Sequence, residues 1–245
     1  MDQNAAVGKR VAFFGGSFDP PHLGHLAVAR AAKAALNLDT ILFAPVGAQP
    51  LKPHGSTAPY EDRLAMTKLA TAGEAGFAIS LADAPQPGGA PNYTLETLRK
   101  LREVLPAGSE LFCLMGADSF VGLRKWRGGT EIPFAASLIV ASRPGQRLDH
   151  LAAQLPQGLN LECEVVARES DTAIQTQPEA EIRLYRLRNQ GGKIAPFYLL
   201  PGLQVEISAS AIRQQVRSTA ADRVPTLDVL PLAVADYIRS HGLYQ

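Results

Sequence analysis

The chain has little of what defines several large protein classes. Of its 245 residues only Cys113 and Cys163 are cysteines, and they show no CxxC spacing. The sequence therefore predicts neither a disulfide scaffold nor a cysteine metal site, and Cys113, inside an apolar run, is expected in the core. No apolar run reaches the roughly 18 to 20 residues that span a bilayer, and no signal region is visible at the start. A reduced, cytoplasmic protein is expected.

Net charge is also nearly absent. The chain has 24 Lys and Arg against 23 Asp and Glu, so it offers no overall field that attracts nucleic acid or an anionic membrane. Hydrophobic residues make up 46% and charged residues 19%, which is typical of a folded chain and excludes a disordered one. The expected partners are small molecules, and any phosphate among them must be held by a local group of residues.

Apolar runs alternate with helix-forming segments through the first 142 residues. Strands are predicted at 9–17, 40–46, 77–83, 110–116 and 136–142, and helices at 23–36, 60–72 and 93–105, the last with Thr94 as its cap. This order predicts an α/β fold with a Rossmann-like, doubly wound parallel sheet that helices cover on both faces. The length suits a single domain over 1–245 with an insertion.

Residues 156–195 interrupt that alternation and are interpreted as the insertion. Two polar-faced strands flank a glutamine-rich centre before the fold resumes at FYLL. Two interpretations fit this excursion: a contact in a homo-oligomer, or an elaborated surface loop. Helices at 208–218 and 232–242 follow, in a C-terminal helical part of the same domain over about 203–245, and Gly242 is expected to end the last helix.

The segment GGSFDPPHLGH, residues 15–25, follows the first predicted strand and begins the first helix. In parallel α/β sheets, ligands bind at this place, beyond the carboxyl ends of the strands. Gly15 and Gly16 let a ligand approach backbone N–H groups. His22 and His25 are three positions apart, so both imidazoles can share one face beside the positive end of the helix dipole.

Two imidazoles aimed at one point suit either a metal ion or an anion. A metal site needs a third ligand, for which Asp19 is the only near candidate, whereas an anion needs nothing further. The segment therefore favours a phosphate site. In the structural alternative, His22 caps the helix and His25 packs against the sheet. The dinucleotide fingerprint GxGxxG and the phosphate loop GxxxxGK[ST] are both absent.

This segment resembles the HxGH signature of the nucleotidyltransferase superfamily, and within it the nicotinate mononucleotide adenylyltransferases. The superfamily's second signature, ISxSxxR, is matched by ISASAIR at residues 207–213. Its serines would cap a helix, and the Arg213 fork would face the same anion. The alternative is that the serines only cap and Arg213 is a surface charge. The two signatures in this order are specific, whereas either alone is only suggestive.

Three further segments resemble the pyridine-nucleotide branch of the superfamily. NYTLETLRKL (92–101) resembles SYTxDTL, MGADSFVGLRKW (115–126) resembles GxDxxxxxxxW, and VADYIRSHGLY (234–244) is similar to the family's last helix. The likeness covers most of the chain outside 145–195. It favours this branch over the pantetheine-phosphate adenylyltransferases and the class I aminoacyl-tRNA synthetases.

The resemblance implies a role for each matching residue. The catalytic residues implied are His22, His25 and Arg213. The ATP-binding residues are these three together with Gly15, Gly16, Ser17, Phe18, Gly116, Asp118, Ile207, Ser208 and Ser210, with Asp118 on the adenosine ribose. The mononucleotide-binding residues are Gly16, Ser17, Lys52, Tyr93, Thr94 and Trp126. Trp126 would stack on the pyridine ring, with core packing as the alternative.

The loop AQPLKPH, residues 48–54, departs from the family's PPH[KR] pattern. Lys52 can still supply a point charge to the mononucleotide phosphate, although without bidentate geometry. Arg63, on the following helix, is a second candidate for that phosphate. Both residues have the alternative of being solvated surface charges.

The implied reaction joins ATP and nicotinate mononucleotide to give deamido-NAD and pyrophosphate. Magnesium is expected to arrive on the ATP phosphates, since the sequence shows no all-protein carboxylate cage and no metal-ligand set is assigned. The nearest alternative is adenylyl transfer to nicotinamide mononucleotide or pantetheine phosphate. An alternative of another class is a non-catalytic nucleotide-binding module.

Overall fold

The computed structural model describes residues 8–52, 55–142, 152–162, 182–200, 207–218 and 229–245. Within them the strands are β1 (Arg10–Gly16), β2 (Thr40–Pro45), β3 (Phe77–Ile79), β4 (Glu110–Gly116), β5 (Ser137–Ala141), β6 (Leu159–Glu162), β7 (Arg183–Asn189) and β8 (Ile194–Leu200). The helices are α1 (Leu23–Leu36), α2 (Tyr60–Thr71), α3 (Thr94–Val104), α4 (Ala117–Gly122), α5 (Ile132–Ala135), α6 (Ala209–Ser218) and α7 (Leu232–Ser240). No helix in these ranges is long and apolar enough to cross a membrane.

All the strands join one sheet in the order β3-β2-β1-β4-β5-β8-β7-β6. Neighbouring strands from β3 through to β8 are parallel, whereas β7 and β6 are added antiparallel at one edge. The predicted Rossmann-like α/β fold is confirmed. The excursion contributes the antiparallel edge strands β6 and β7, and its residues 163–181, with Cys163, lie outside the described residues.

Side chains of β1 alternate between two cores, one on each face of the sheet. Phe13 packs with Leu98 of α3 and Ile132 of α5. Phe14, the next residue, lies on the other face with Leu26 of α1. A strand buried on both faces must be apolar at every position, which is why the strands appear in the sequence as continuous apolar runs. Cys113, as expected, is buried in the first of these cores.

The C-terminal helices pack mainly against α2. Met66 of α2, Ile212 and Val216 of α6, and Val234 and Ile238 of α7 form a third apolar cluster. Helix α6 is amphipathic, with its two buried side chains four positions apart on one face. This cluster fixes α6, and with it the second sequence signature.

Two sequence predictions need correction at element ends. Thr94 is the first residue of α3, and the N-cap position belongs to Tyr93, so Thr94 is not the cap. The strand expected over 77–83 ends at Ile79, because the chain turns at residues 81–84 after one last N–H bond from Ser80 to the Phe43 oxygen. Gly242 does follow the last helix, with φ +59, a conformation that glycine adopts without strain.

Candidate active site

The end of β1, at Gly15 and Gly16, is shaped by the absence of side chains. A Cβ on Gly15 would lie 2.7 Å from the Phe13 ring, and one on Gly16 would lie 3.2 Å from the Phe18 ring. Phe18 has φ +46 and is 2% exposed, with its ring packed against Phe14 and Phe43. Its side chain is therefore part of the core, and only its backbone is placed to meet a ligand.

His22 and His25 occupy the N-terminus of α1 as one stacked pair. His22 is the N-cap residue, and the ring centroids are 3.7 Å apart. The backbone N–H of His22 donates to His25 Nδ1 over 3.1 Å. Because Nδ1 accepts this bond, the proton of the neutral His25 ring is on Nε2, which is the nitrogen left to donate to a ligand. The Nδ1 atom of His22 is buried and has no hydrogen-bond partner among the described residues.

Burial holds both imidazoles in the neutral form. It lowers the pKa of His22 from 6.5 to about 4. It also lowers the pKa of His25 well below 6.5, with repulsion from His22 as a second cause. An anion bound beside the stacked pair would oppose both effects, because it stabilises the protonated form. The pair is consequently a neutral donor surface whose proton affinity rises when a phosphate is present.

This shifted pKa makes stability depend on pH. The folded pKa of His22 lies below the unfolded value, so the unfolded chain binds a proton first as pH falls below about 6.5. Between pH 7 and pH 5, His22 alone is expected to remove about 2 kcal/mol from the free energy of unfolding. Urea denaturation at both pH values checks this against His22→Asn, which should lose less stability over the same interval. Equal losses in the two proteins would contradict the assignment.

The second signature meets the first through Arg213. Ser208 lies directly before α6, and Ser210 and Arg213 are in its first turns. Arg213 Nη1 donates to the backbone oxygen of Asp19 over 2.6 Å, and Nη2 donates to Ser210 Oγ over 3.2 Å. Residues 194 positions apart are thus in direct contact, and a guanidinium that remains partly exposed faces the turn that carries the histidines.

Asp19 has a role that the sequence did not predict. Its carboxylate accepts hydrogen bonds from the N–H groups of Thr57 and Ala58, over 2.6 and 3.1 Å, and from the hydroxyl of Tyr244 over 2.8 Å. Within the described structure it bonds to neither histidine. The idea that Asp19 completes a histidine metal site therefore has no geometric support; its carboxylate joins the first turn to the 57–58 backbone and to the chain end.

Lys52 reaches the same turn from the loop after β2. Ser17 Oγ lies 2.9 Å from Lys52 Nζ and 3.0 Å from Gln49 Nε2, and both nitrogens donate to it. Burial lowers the pKa of Lys52, with repulsion from Arg213 as the next cause. Two cations held this close repel each other in the free protein and favour a shared anion. Gln49 was not predicted as a site residue.

Arg63 does not line the cavity, contrary to its proposed contact with the mononucleotide phosphate. It is 2% exposed, and its guanidinium donates to the backbone oxygens of Ser17, Val46 and Ala58 over 2.7, 2.8 and 3.2 Å. A planar fork with five N–H donors suits three converging carbonyl groups. Arg63 thus holds the backbone of the turn between β1 and α1 from its buried side.

Replacing Arg63 with methionine should destabilise the protein strongly, because three buried carbonyl oxygens lose their donor. We expect the free energy of unfolding to fall by roughly 3 kcal/mol, measured by urea denaturation. Lys68→Met on the exposed face of the same helix is the control, with an expected change within about 0.5 kcal/mol. A similar small loss in both variants would show that the carbonyl contacts contribute little.

Another part of the cavity is built around the start of α3. Tyr93 and Thr94 lie there, and the Arg127 guanidinium is 4.6 Å from the centroid of the Tyr93 ring. Trp126 is half-buried and packs partly against the apolar core. The core-packing interpretation of Trp126 is therefore supported, whereas its stacking on a pyridine ring stays a prediction. Asp118 is the second residue of α4, which begins directly after β4, and it lines the same cavity.

Two polar residues of this wall were missed by the sequence interpretation. Asn92 accepts from the Ala48 N–H and donates to the Ala84 oxygen, both over 2.9 Å, so it links two loops that border the cavity. Asp83 accepts a hydrogen bond from Thr97, and burial raises the pKa of its carboxyl. Asn92 begins the segment 92–101 but was given no role of its own, and Asp83 is a single polar residue in a loop rich in proline and alanine.

The two signatures, Lys52 and the start of α3 border one cavity of about 1010 Å³. Apart from Arg63, every residue that the sequence assigned to ATP or the mononucleotide lines it: Gly15, Gly16, Ser17, Phe18, His22, His25, Lys52, Tyr93, Thr94, Gly116, Asp118, Trp126, Ile207, Ser208, Ser210 and Arg213. This volume lies at the upper end of the range for small-molecule sites, about 300 to 1,000 Å³. Its lining includes cations and amide donors as well as aromatic rings.

Comparison with known proteins places this arrangement in a family. The cytidylyltransferase-like family model matches residues 13–215. A protein of Solibacter usitatus named "Probable nicotinate-nucleotide adenylyltransferase" is 34% identical over 96% of this chain and 99% of the relative. A protein of Gloeobacter violaceus with the same name is 34% identical over 97% of each chain.

A solved structure supports the fold independently. The Plasmodium falciparum nicotinic acid mononucleotide adenylyltransferase complexed with NaAD superposes with a TM-score of 0.64, at 15% identity, over 96% of this chain and 97% of that one. At that identity the likeness concerns the fold alone. The family follows from the near-full-length matches at 34% identity: the chain belongs to the nicotinate-nucleotide adenylyltransferase family.

Proposed function

We propose that the chain transfers the adenylyl group of ATP to nicotinate mononucleotide, releasing pyrophosphate and forming deamido-NAD. The observation that carries the proposal is the contact between the two signatures, in which Arg213 donates to the Asp19 backbone at the turn that carries His22 and His25. The curated relatives bear the name of this activity. The cations and the aromatic rings that line the cavity suit a triphosphate and a pyridine ring.

The reaction needs no covalent enzyme intermediate. An oxygen of the mononucleotide phosphate forms a bond to the α-phosphorus of ATP, while the bond from that phosphorus to the bridging oxygen breaks. The electron pair leaves with pyrophosphate. Because the attacking group is already an anion at neutral pH, the protein has to bring two anions together and stabilise the charge that gathers between them.

The residues between β1 and α1, and those at the start of α6, supply that stabilisation from two sides. The Nε2–H of His25 and the amides near Gly16 and Ser17 donate to the phosphates at the positive end of α1. Arg213 faces them from the first turns of α6 and holds the departing pyrophosphate with its guanidinium. Lys52, bonded to Ser17 Oγ, adds a charge where the acceptor phosphate enters.

Magnesium is proposed to enter with ATP. In the part of the chain that the structure describes, no three His, Cys, Asp or Glu side chains lie close enough together to hold a metal ion. Phosphate oxygens are ligands that Mg²⁺ prefers, and the ion would neutralise charge on the leaving pyrophosphate. Asp118, on the adenosine side of the cavity, is assigned to the ribose hydroxyl groups.

The test compares three phosphate acceptors with ATP: nicotinate mononucleotide, nicotinamide mononucleotide and pantetheine phosphate. Products are identified by mass spectrometry, and pyrophosphate release gives the initial rates. The proposal predicts the highest kcat/KM with nicotinate mononucleotide. A higher value with either other acceptor would overturn the choice of substrate, and the absence of pyrophosphate with all three would leave a nucleotide-binding module.

A further inference from the structure

The next-to-last residue of the chain reaches into the phosphate-binding turn. Tyr244 is 6% exposed, and its hydroxyl donates to Asp19 Oδ1 over 2.8 Å, across 225 positions of sequence. Asp19 itself is 4% exposed. A charged carboxylate this deeply buried needs hydrogen-bond donors around it. The Tyr244 hydroxyl supplies the Asp19 carboxylate with a side-chain donor.

The chain end is held firmly in this position. After α7, the Leu243 N–H donates to the Ile238 oxygen over 3.1 Å, and Tyr244 takes φ +66. This left-handed conformation is costly for a residue with a bulky side chain. It turns the phenol back into the apolar cluster formed by α2, α6 and α7. The backbone of Tyr244 is thus strained, and this strained conformation places its hydroxyl beside Asp19.

Asp19 has two groups that bear on Arg213. Its backbone oxygen receives the 2.6 Å bond from Arg213 Nη1, whereas its carboxylate Oδ2 lies 3.9 Å from that same nitrogen. A carboxylate attracts a guanidinium more strongly than a neutral carbonyl group does. If the carboxylate turned toward Arg213, the two would form a bidentate ion pair. That pair would occupy the guanidinium that the reaction needs.

Three neutral donors oppose this turn: the N–H groups of Thr57 and Ala58, and the Tyr244 hydroxyl. The two N–H groups are fixed parts of the backbone, so Tyr244 is the donor that a single substitution can remove. Burial, with the neighbouring Asp19 charge, raises the pKa of Tyr244, so the phenol keeps its proton. It can therefore donate to the carboxylate at any working pH.

We propose that Tyr244 is a positioning residue for adenylyl transfer. It holds the Asp19 carboxylate away from Arg213 and so keeps the Arg213 guanidinium directed at the phosphates of ATP. This inference rests on the proposed function. It assigns the end of the chain a part in the reaction, although Tyr244 itself does not line the cavity.

The chain offers a matched control in Tyr237. Its hydroxyl donates to Asp62 Oδ1 over 2.9 Å, and it lies in the same C-terminal segment without touching the site. Tyr244→Phe and Tyr237→Phe each remove one hydroxyl and one hydrogen bond to a carboxylate. A purely structural role predicts similar kinetics for both variants. A positioning role predicts a kinetic change only for Tyr244→Phe.

Steady-state kinetics with ATP and nicotinate mononucleotide separate the two roles. Tyr244→Phe should lower kcat about tenfold or more and leave the KM for the mononucleotide within twofold, while Tyr237→Phe stays near the wild-type values. Thermal unfolding confirms that both variants are folded at the assay temperature. If the kcat values of the two variants agree within twofold, the proposal is overturned.

A double variant tests whether the effect passes through Asp19. Asp19→Asn removes the charge that would capture Arg213, so adding Tyr244→Phe to it should change kcat less than twofold. A full tenfold loss in that background would overturn the route through Asp19.

Should the wild-type protein transfer no adenylyl group, the proposed function fails. The positioning role of Tyr244 is then tested by the Kd of ATP. We expect this Kd to rise in Tyr244→Phe and to stay unchanged in Tyr237→Phe. Equal Kd values in the two variants would overturn the positioning role.

Discussion

Replacing His25 with alanine is expected to lower kcat by about 10²- to 10³-fold, the usual cost of losing one donor to developing charge in a transition state. The His22 N–H fixes the His25 tautomer with its proton on Nε2, and that nitrogen is the part of the ring available to ATP. Pyrophosphate release at saturating substrates measures the loss. Near-normal turnover would remove His25 from the mechanism.

His25→Asn separates this chemistry from a capping role. The asparagine side-chain oxygen can accept the His22 N–H in place of Nδ1, and asparagine has nothing that reaches the position of Nε2. Stability is therefore expected to stay close to that of the wild type, while kcat falls as far as in the alanine variant. Recovery of kcat in His25→Asn would mean that His25 acts only by packing and capping.

Arg213→Ala carries the second large expected effect, a fall in kcat of about 10²-fold or more. The guanidinium faces the phosphates from α6 and is the one residue of the second signature whose charge can hold the leaving pyrophosphate. Arg213→Lys should recover only a small part, because an ammonium keeps the charge without the fork that donates to Asp19 and Ser210 together.

The control for Arg213 is Arg217, one turn later on the same helix and exposed. Arg217→Ala removes an equal charge from α6 and should leave kcat within twofold of the wild type. If both alanine variants lose the same amount, the effect comes from the general field of the helix, and the specific role of Arg213 is wrong.

The fold could be predicted from the sequence because its strongest signals are local and periodic. Helix α1 has the predicted bounds, 23–36, since an alanine-rich segment begins after two prolines and ends before Asn37 in the left-handed conformation. Strands buried on both faces give continuous apolar runs, which is how β1, β4 and β5 were located. The short β3 was overestimated because apolar residues continue past its last paired position.

The positions of the site residues were predicted better than their supporting contacts. Glycines and histidines at a strand-to-helix turn indicate an anion site by local chemistry alone. The role of Arg63 was misinterpreted and the contacts of Asp19 were not predicted, because their partners are backbone groups and a tyrosine that are distant along the chain. No spacing pattern relates Asp19 to Tyr244, so their contact is found only when the fold is known.

The central claim, direct transfer of an adenylyl group between two phosphates in one cavity, is tested most directly with ATP labelled at the α-phosphate. With nicotinate mononucleotide present, the label should move into deamido-NAD, with unlabelled pyrophosphate as the other product and none of the label on the denatured protein. Label recovered on the protein, or as AMP with no dinucleotide formed, would contradict it.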